Sequence, residues 1–513
     1  MCDVEESSCQ DIRKEEGGAR IGQTCMKCKE ATAVLIIRVG DAFCRTCFRE
    51  YFVHKFRAML GKNRVVYPGE KVLLAYSGGP SSSAMIQQVQ EGLSRDAPKK
   101  LRFTPGVLFI DEGAVCGQSW QDRERVITEI QSILKATSFP FHIIPLEQLF
   151  SLPRSVLEKN LSMSPTQSGN YKQAVGTFLD QQRAHDVDGI TEATNRLAEM
   201  HTADTIPSEC SNSLPYNRPA PDHTAALMSM FHSAKTLTAK QQLLHSLRNH
   251  LMVHVARKYG YTKVMTGESC TRLAVNLLAN ISLGRGAFLP LDTGFSDDRH
   301  GDVVVVRPMR DYSLKEISFY NRLFNVQSVF IPTLDTKACG NSGIQHLSET
   351  FITKLQADFP STVSTVYRTS EKLHVSRTEV SQDQSKQERC LLCMCPSDTS
   401  TGAASAFSAT QVSQQLSQRR PPNSVTSAEN SGKQCCNGEQ CCEDVASCTQ
   451  PSVTGPEDIV HLLCYSCRVT IKDLKSVDTL PSYLMKEAEH RNRRVQMRKE
   501  IEEFLLDDNP GDL

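Results

Sequence analysis

The chain of 513 residues has room for two to four domains at ~100–200 residues each, and so for a large buried core. Its 58 Lys+Arg balance its 58 Asp+Glu, which excludes a whole-chain basic field as a basis for nucleic-acid binding and leaves only a local patch. No apolar run approaches the ~20 residues that span a bilayer, and Met1-Cys2-Asp3-Val4-Glu5-Glu6 lacks the apolar stretch of a signal peptide, so a soluble intracellular protein without membrane contact is expected, in which 20 cysteines point to metal rather than disulfides.

Residues 1–20 are polar and charged and read as a disordered tail. Residues 21–64 read as a zinc ribbon followed by a helix. Cys25-Met26-Lys27-Cys28 is followed, fifteen residues on, by Cys44-Arg45-Thr46-Cys47, with a strand and turn between the pairs. Two thiolates three positions apart grip one side of a cation, and a second pair returned by a hairpin completes the tetrahedron that Zn²⁺ prefers. A RING-type ubiquitin ligase would need four further interleaved ligands, which the sequence does not provide. Phe48, Phe52, Phe56 and Leu60 form an apolar stripe at helical spacing, expected to pack as core. Beside it, Arg49, Lys55, Arg57, Lys62 and Arg64 make a basic cluster, of which Lys55, Arg57, Lys62 and Arg64 are the candidates for gripping RNA phosphates.

Residues 65–385 read as an α/β domain with a doubly wound parallel sheet. Lys71–Tyr76, Gly106–Ile110, Lys263–Met265 and Asp302–Val306 are short apolar runs without period-2 alternation, as expected of strands buried on both faces. Gln121–Leu134 and Leu243–Tyr259 have helical spacing, and the Ser-, Asn-, Pro- and Thr-rich residues 151–225 read as a long mobile insertion. The first strand runs into Ser77-Gly78-Gly79-Pro80-Ser81-Ser82-Ser83 and then a helix. Glycines there let the backbone turn its N–H groups onto an anion at the positive end of the helix. It is neither a Walker A loop nor a dinucleotide fingerprint, because the Gly-Lys-Ser/Thr ending and the Gly-x-Gly-x-x-Gly spacing are both absent.

Residues 386–475 read as a second zinc ribbon, from Cys390-Leu391-Leu392-Cys393 and Cys464-Tyr465-Ser466-Cys467, interrupted by a disordered insert at 397–455. Loop-closure entropy rises only logarithmically, so a long insert between knuckles is tolerable. Cys395 is an alternative ligand, whereas Cys435, Cys436, Cys441, Cys442 and Cys448 lie inside the insert and are expected to be unordered or opportunistic metal binders. His250 and His254 share a helix face without the Glu of His-Glu-x-x-His and read as packing or surface groups. Residues 476–513 form a charged terminal helix, expected to be solvated over Leu484–Leu506.

The loop resembles the Ser-Gly-Gly-x-Asp-Ser signature of the PP-loop ATP pyrophosphatase superfamily. Asp111-Glu112-Gly113, Thr266-Gly267 and Arg307-Pro308-Met309 with Glu316 and Tyr320 follow in the expected order. With the leading ribbon, Val53–Leu60 and Phe359-Pro360-Ser361-Thr362-Val363, the chain resembles the cytoplasmic tRNA 2-thiolation protein 2 family, over nearly everything outside 1–20, 151–225 and 397–455. The resemblance implies a PP-loop (adenine nucleotide alpha hydrolase-like) fold flanked by zinc ribbons, in the cytoplasm, in a complex that makes 2-thiouridine at the wobble position of tRNAs for lysine, glutamate and glutamine. It implies cytoplasmic tRNA 2-thiolation protein 1 as heterodimer partner, tRNA as substrate and a thiocarboxylated ubiquitin-like protein as sulfur carrier.

Three departures matter. Ser81 stands where the signature has aspartate, and Glu268-Ser269-Cys270-Thr271-Arg272 stands where thiolating relatives carry His-Asn and paired aspartates. Where those relatives carry Cys-x-x-Cys there is only Cys210. Ser77, Gly78, Gly79, Ser81 and Ser82 therefore form a degenerate nucleotide loop, which puts ATP and Mg²⁺ binding in doubt and assigns no catalytic residue. Cys116 and Cys270 remain as isolated thiols. Competing readings are an adenylating sulfurtransferase active by itself, with Ser81 and Ser82 standing in for the aspartate, and a zinc-ribbon adaptor of the ubiquitin system.

Overall fold

A computed structural model of the chain describes residues 23–37, 41–94, 100–159, 171, 173–180, 216, 218–336, 343–359, 361–373, 389–396 and 457–502. The tail at 1–20, most of the 151–225 insertion with Cys210, and the insert at 397–455 lie outside the described residues. A two-stranded hairpin, β1 (Leu35–Ile36) and β2 (Ala42–Phe43), leads into helix α1 (Arg45–Asn63). The α/β body then runs β3 (Lys71–Tyr76), α2 (Pro80–Leu93), β4 (Thr104–Asp111), α3 (Trp120–Lys135) and β5 (Phe141–Pro145). It continues through α4 (Pro221–Ser233), α5 (Leu237–Tyr259), β6 (Lys263–Thr266), α6 (Cys270–Ser282), β7 (Ser296–Asp297), β8 (Val304–Val306) and α7 (Leu314–Phe324). Helices α8 (Ile344–Asp358), α9 (Thr362–Ser370), α10 (Tyr465–Lys472) and α11 (Ser482–Glu502) complete the ordered elements used below.

The six strands lie in the order β5-β4-β3-β6-β8-β7, all parallel except the edge strand β7. The strand order reverses between β3 and β6, with β4 and β5 added on one side and β6 and β8 on the other, so the crevice at their carboxyl ends is the place where ligands of such sheets bind. The four strands expected from the apolar runs are all present. Strand β5 had no clear signal: Phe141-His142-Ile143-Ile144-Pro145 sits between prolines, yet it pairs with β4 from Val107↔Phe141 to Asp111↔Pro145. Only the neighbouring strand supplies the ladder that makes it a strand.

Because side chains alternate along β3, Val72, Leu74 and Tyr76 enter one core and Leu73 the other. The first core takes the stripe Phe48, Phe52 and Phe56 of α1, together with Ile130 and Leu134 of α3 and Ile317 and Tyr320 of α7. Phe52 stacks on Tyr320 with ring centroids 4.0 Å apart. The second core takes Leu243, Leu247 and Leu251 of α5 and also Leu391, Leu392, Ile459 and Leu484 from the far C-terminal part of the chain. Helix α11 departs from the solvated reading in its first turns: Tyr483, Leu484 and Ala488 are fully buried, and Tyr483 shares a 2.7 Å hydrogen bond with His250 Nδ1. His250 is thus a packing group, and it does not meet His254 as a ligand pair: among the described residues only two groups have metal-ligand geometry, and both are cysteine tetrads.

Candidate functional site

The Ser-Gly-Gly loop lies at the switch point, between the end of β3 and the first turn of α2. Gly78 has φ +77°, and a Cβ there would come within 2.8 Å of Ile331 and 3.3 Å of Ile130, so both conformation and space demand glycine. Gly267, at the end of β6, lies so close to Ser81 and Ser82 that a Cβ would meet their backbone at 3.0 Å. The loop is held largely by its own atoms. Ser77 N–H donates to Ser82 Oγ at 3.2 Å, and Ser82 Oγ donates to the Gly79 carbonyl at 3.0 Å. The Gly78 carbonyl accepts from Val329 N–H at 2.8 Å. Ser81, in the first turn of α2, brings a neutral hydroxyl to the loop.

Three carboxylates around the crevice, Asp111, Glu112 and Glu268, are each met by an arginine. Asp111 accepts from Arg123 Nε at 2.9 Å and from the Tyr216 hydroxyl at 2.8 Å, while Arg123 also forks onto Glu147 at 2.7 and 3.0 Å. Burial works against the Arg123 charge, but Glu147 and Asp111 more than offset it and raise its pKa. Glu112 is clasped by Arg248 through Nε and, at 2.8 Å, Nη2. Glu268 accepts from Arg307 Nε at 2.6 Å. Sequence reasoning missed Arg123, Arg248 and Glu147, because the partners stand 12, 136 and 24 residues apart and no local spacing joins them.

The isolated thiols are poor nucleophiles here. Burial, then the Glu112 carboxylate, pushes Cys116 up to about 11, and burial with Glu316 does the same for Cys270, also to about 11, so both stay protonated at neutral pH. Nor does the basic cluster act as one surface. Lys55 is drawn inward to Glu316 at 2.8 Å, over the rings of Tyr51 and Tyr312, and is not a free phosphate ligand. Arg57 is half-buried; Lys62 and Arg64 are exposed, the Arg64 guanidinium lying 6.0 Å from the Tyr171 ring centroid.

The cysteines expected as ligands do converge. Cys25, Cys28, Cys44 and Cys47 form one group and Cys390, Cys393, Cys464 and Cys467 the other, with the sulfurs of each within 4.8 Å of one another. Cys28 and Cys44 stand 4.0 Å apart and Cys393 and Cys464 3.6 Å, against about 3.8 Å for sulfurs each 2.3 Å from a tetrahedral zinc. In both groups a knuckle loop faces a helix whose N-cap is a cysteine, Cys44 for α1 and Cys464 for α10, and Cys44 Sγ accepts from Cys47 N–H at 3.5 Å. Either tetrad can hold a metal. Cys395 stays outside the second one, accepting from Arg299 Nη1 at 3.1 Å.

A family model described as Cytoplasmic tRNA 2-thiolation protein 2 matches residues 343–469. Cytoplasmic tRNA 2-thiolation protein 2-A of Xenopus laevis is 58% identical over 515 residues, covering 100% of both chains. The protein of the same name from Danio rerio is 53% identical (99% of this chain, 100% of the other), and that of Homo sapiens 50% identical (95% and 94%). Among solved structures, U34-tRNA thiolase NcsA from Methanococcus maripaludis with its [4Fe-4S] cluster overlaps 71% of this chain and 95% of that one, at a TM-score of 0.43 and 13% identity, too weakly to carry a ligand or a role across. Among the described residues no helix is long and apolar enough to cross a membrane. With half or more of its residues shared along essentially its full length, the chain belongs to the cytoplasmic tRNA 2-thiolation protein 2 family.

Proposed function

We propose that this chain is the non-catalytic subunit of a cytoplasmic tRNA thiolation complex. In this reading it pairs with cytoplasmic tRNA 2-thiolation protein 1, which performs the sulfur transfer that makes 2-thiouridine at the wobble position of tRNAs for lysine, glutamate and glutamine. The sulfur comes from a thiocarboxylated ubiquitin-like carrier. The observation that carries the reading is that the acids of the crevice are engaged: Ser81 has no charge, and Asp111, Glu112 and Glu268 are each held by an arginine. A Mg²⁺-bound triphosphate requires free carboxylate oxygens to organise the metal, and this donor set does not fit it. The cysteine tetrads fit Zn²⁺, an all-sulfur tetrahedral donor set with no open position, which assigns Cys25, Cys28, Cys44, Cys47, Cys390, Cys393, Cys464 and Cys467 a structural metal rather than a catalytic one.

The test is co-purification with the partner, then ATP–pyrophosphate exchange and tRNA thiolation by each subunit alone and by the pair. The expected result is activity in the pair and none in this chain; partner-free exchange by this chain overturns the reading. Ser81→Asp restores no exchange above background, because the arginines still hold the other carboxylates.

A further inference from the structure

We propose that the outer half of α11 is an arm that grips the phosphate backbone of RNA. The helix has two unlike halves. Its first turns are anchored through buried Tyr483, Leu484 and Ala488, with Arg491 bonded to Glu487 at 2.7 Å. From Arg493 to Ile501 every residue is exposed. Residues 490–499 carry Arg491, Arg493, Arg494, Arg498 and Lys499 and no acidic side chain. Among the described residues, Arg493, Arg494, Arg498 and Lys499 have no ion-pair or hydrogen-bond partner, in contrast to the arginines of the crevice. Glu500 and Glu502 close the helix, so the outer half carries four basic against two acidic side chains, and its clustered cations repel one another while gaining nothing from packing.

The charge distribution selects a polyanion. The chain as a whole is neutral, so a polyanion must be met by a local field such as this arm supplies. Arg494 and Arg498, free among the described residues and four residues apart, stand about 6 Å from each other on one face, and guanidinium forks bind phosphate oxygens in pairs. An anionic membrane is disfavoured. Of the exposed apolar residues, Val495 and Met497 project roughly 160° apart and only Met497 and Ile501 share a side, a strip too short to anchor the helix in a bilayer. The proposal rests on the reading above in taking the RNA to be tRNA.

The experiment uses the full-length chain, alone and with its partner, and an unmodified lysine tRNA transcript followed by fluorescence anisotropy. The variant R493Q/R494Q/R498Q/K499Q is expected to raise Kd about tenfold or more at ~150 mM salt and to flatten the slope of log K against log salt by about 2–4, since each lost phosphate contact removes ~0.7–0.9. The variant R493K/R494K/R498K retains most of the binding, which separates charge loss from misfolding. Unchanged affinity and slope in the glutamine variant overturn the proposal. So does a variant that binds tRNA normally but loses binding to phosphatidylserine-containing vesicles or to the partner subunit. Wobble 2-thiouridine in cells lacking the protein keeps the two failures apart. If it vanishes while the glutamine variant binds tRNA like wild type, only the arm is wrong. If it persists in those cells, the function above fails and the arm's assignment to tRNA falls with it.

Discussion

The two cysteine tetrads share ligand geometry and differ in everything around it. The first is assembled from a hairpin within 23 residues, and its surface carries exposed Met26 and Val34 and the solvent-facing pair Lys27–Glu50. It reaches the sheet through one helix, by the Phe52–Tyr320 stack and the Lys55–Glu316 ion pair. The second joins knuckles separated by seventy residues and sits inside the core beneath the sheet, between buried Leu391, Leu392 and Leu463. Arg285 donates to Cys467 Sγ at 3.7 Å and to Ser466 at 3.0 Å. A peripheral centre of this kind folds its own module, whereas an embedded centre ties a distant chain segment into the main domain, and its loss is paid by the whole.

That contrast is open to direct attack, with the largest effect at the second centre. Cys464→Ser removes a ligand on which on the order of 10 kcal/mol of metal-coupled folding energy depends, and cooperative unfolding of the α/β body is expected to disappear. Cys25→Ser should release one metal per chain and leave that unfolding transition in place. Equal losses in calorimetry would erase the distinction. Next, Phe52→Ala should cost about 3–5 kcal/mol by emptying the contact between α1 and α7, while metal content measured by mass spectrometry stays at two; loss of the first metal would mean that the ribbon cannot fold by itself.

Lys55→Met leaves Glu316 buried and unpaired and should cost about 3 kcal/mol. Burial alone would raise the Glu316 pKa, but the Lys55 ammonium, the Ser313 N–H and the Tyr51 hydroxyl overcome it and hold the carboxyl below its ordinary value. A lowered carboxylate pKa contributes stability that is present above about pH 4.3 and is lost as pH falls through the folded value. Denaturant titrations from neutral pH into this acid range should therefore show a steeper decline for wild type than for Glu316→Gln, and parallel curves would show that the pair contributes nothing. Smallest is Arg285→Leu. Without its N–H donor the second centre should bind metal about ten- to a hundredfold more weakly in chelator competition, the first being unchanged; equal weakening at both would show that the arginine acts on global stability.

Much of this was legible in one dimension. The central strands, the stripe on α1 and both ligand sets are local patterns, because a strand buried on both faces, a helix with one wet side and a knuckle each need particular residues at short fixed spacings. Strand β5 was hidden by its flanking prolines, and the buried start of α11 by the charges that follow it. The basic run through α1 looked continuous in sequence, yet Lys55 turned inward to a carboxylate 261 residues away.

The sequence by itself determined which atoms can ligate metal, where the backbone must turn through Gly78, and that the loop's acidic side chain is missing. Only the tertiary structure decided the state of the acids that remain. Asp111, Glu112 and Glu268 are present in the sequence and would pass for metal ligands, but their oxygens are engaged by Arg123, which also holds Glu147, and by Arg248 and Arg307, brought in by folding. Electrostatic energy depends on distance in space, and distance along the chain does not report it.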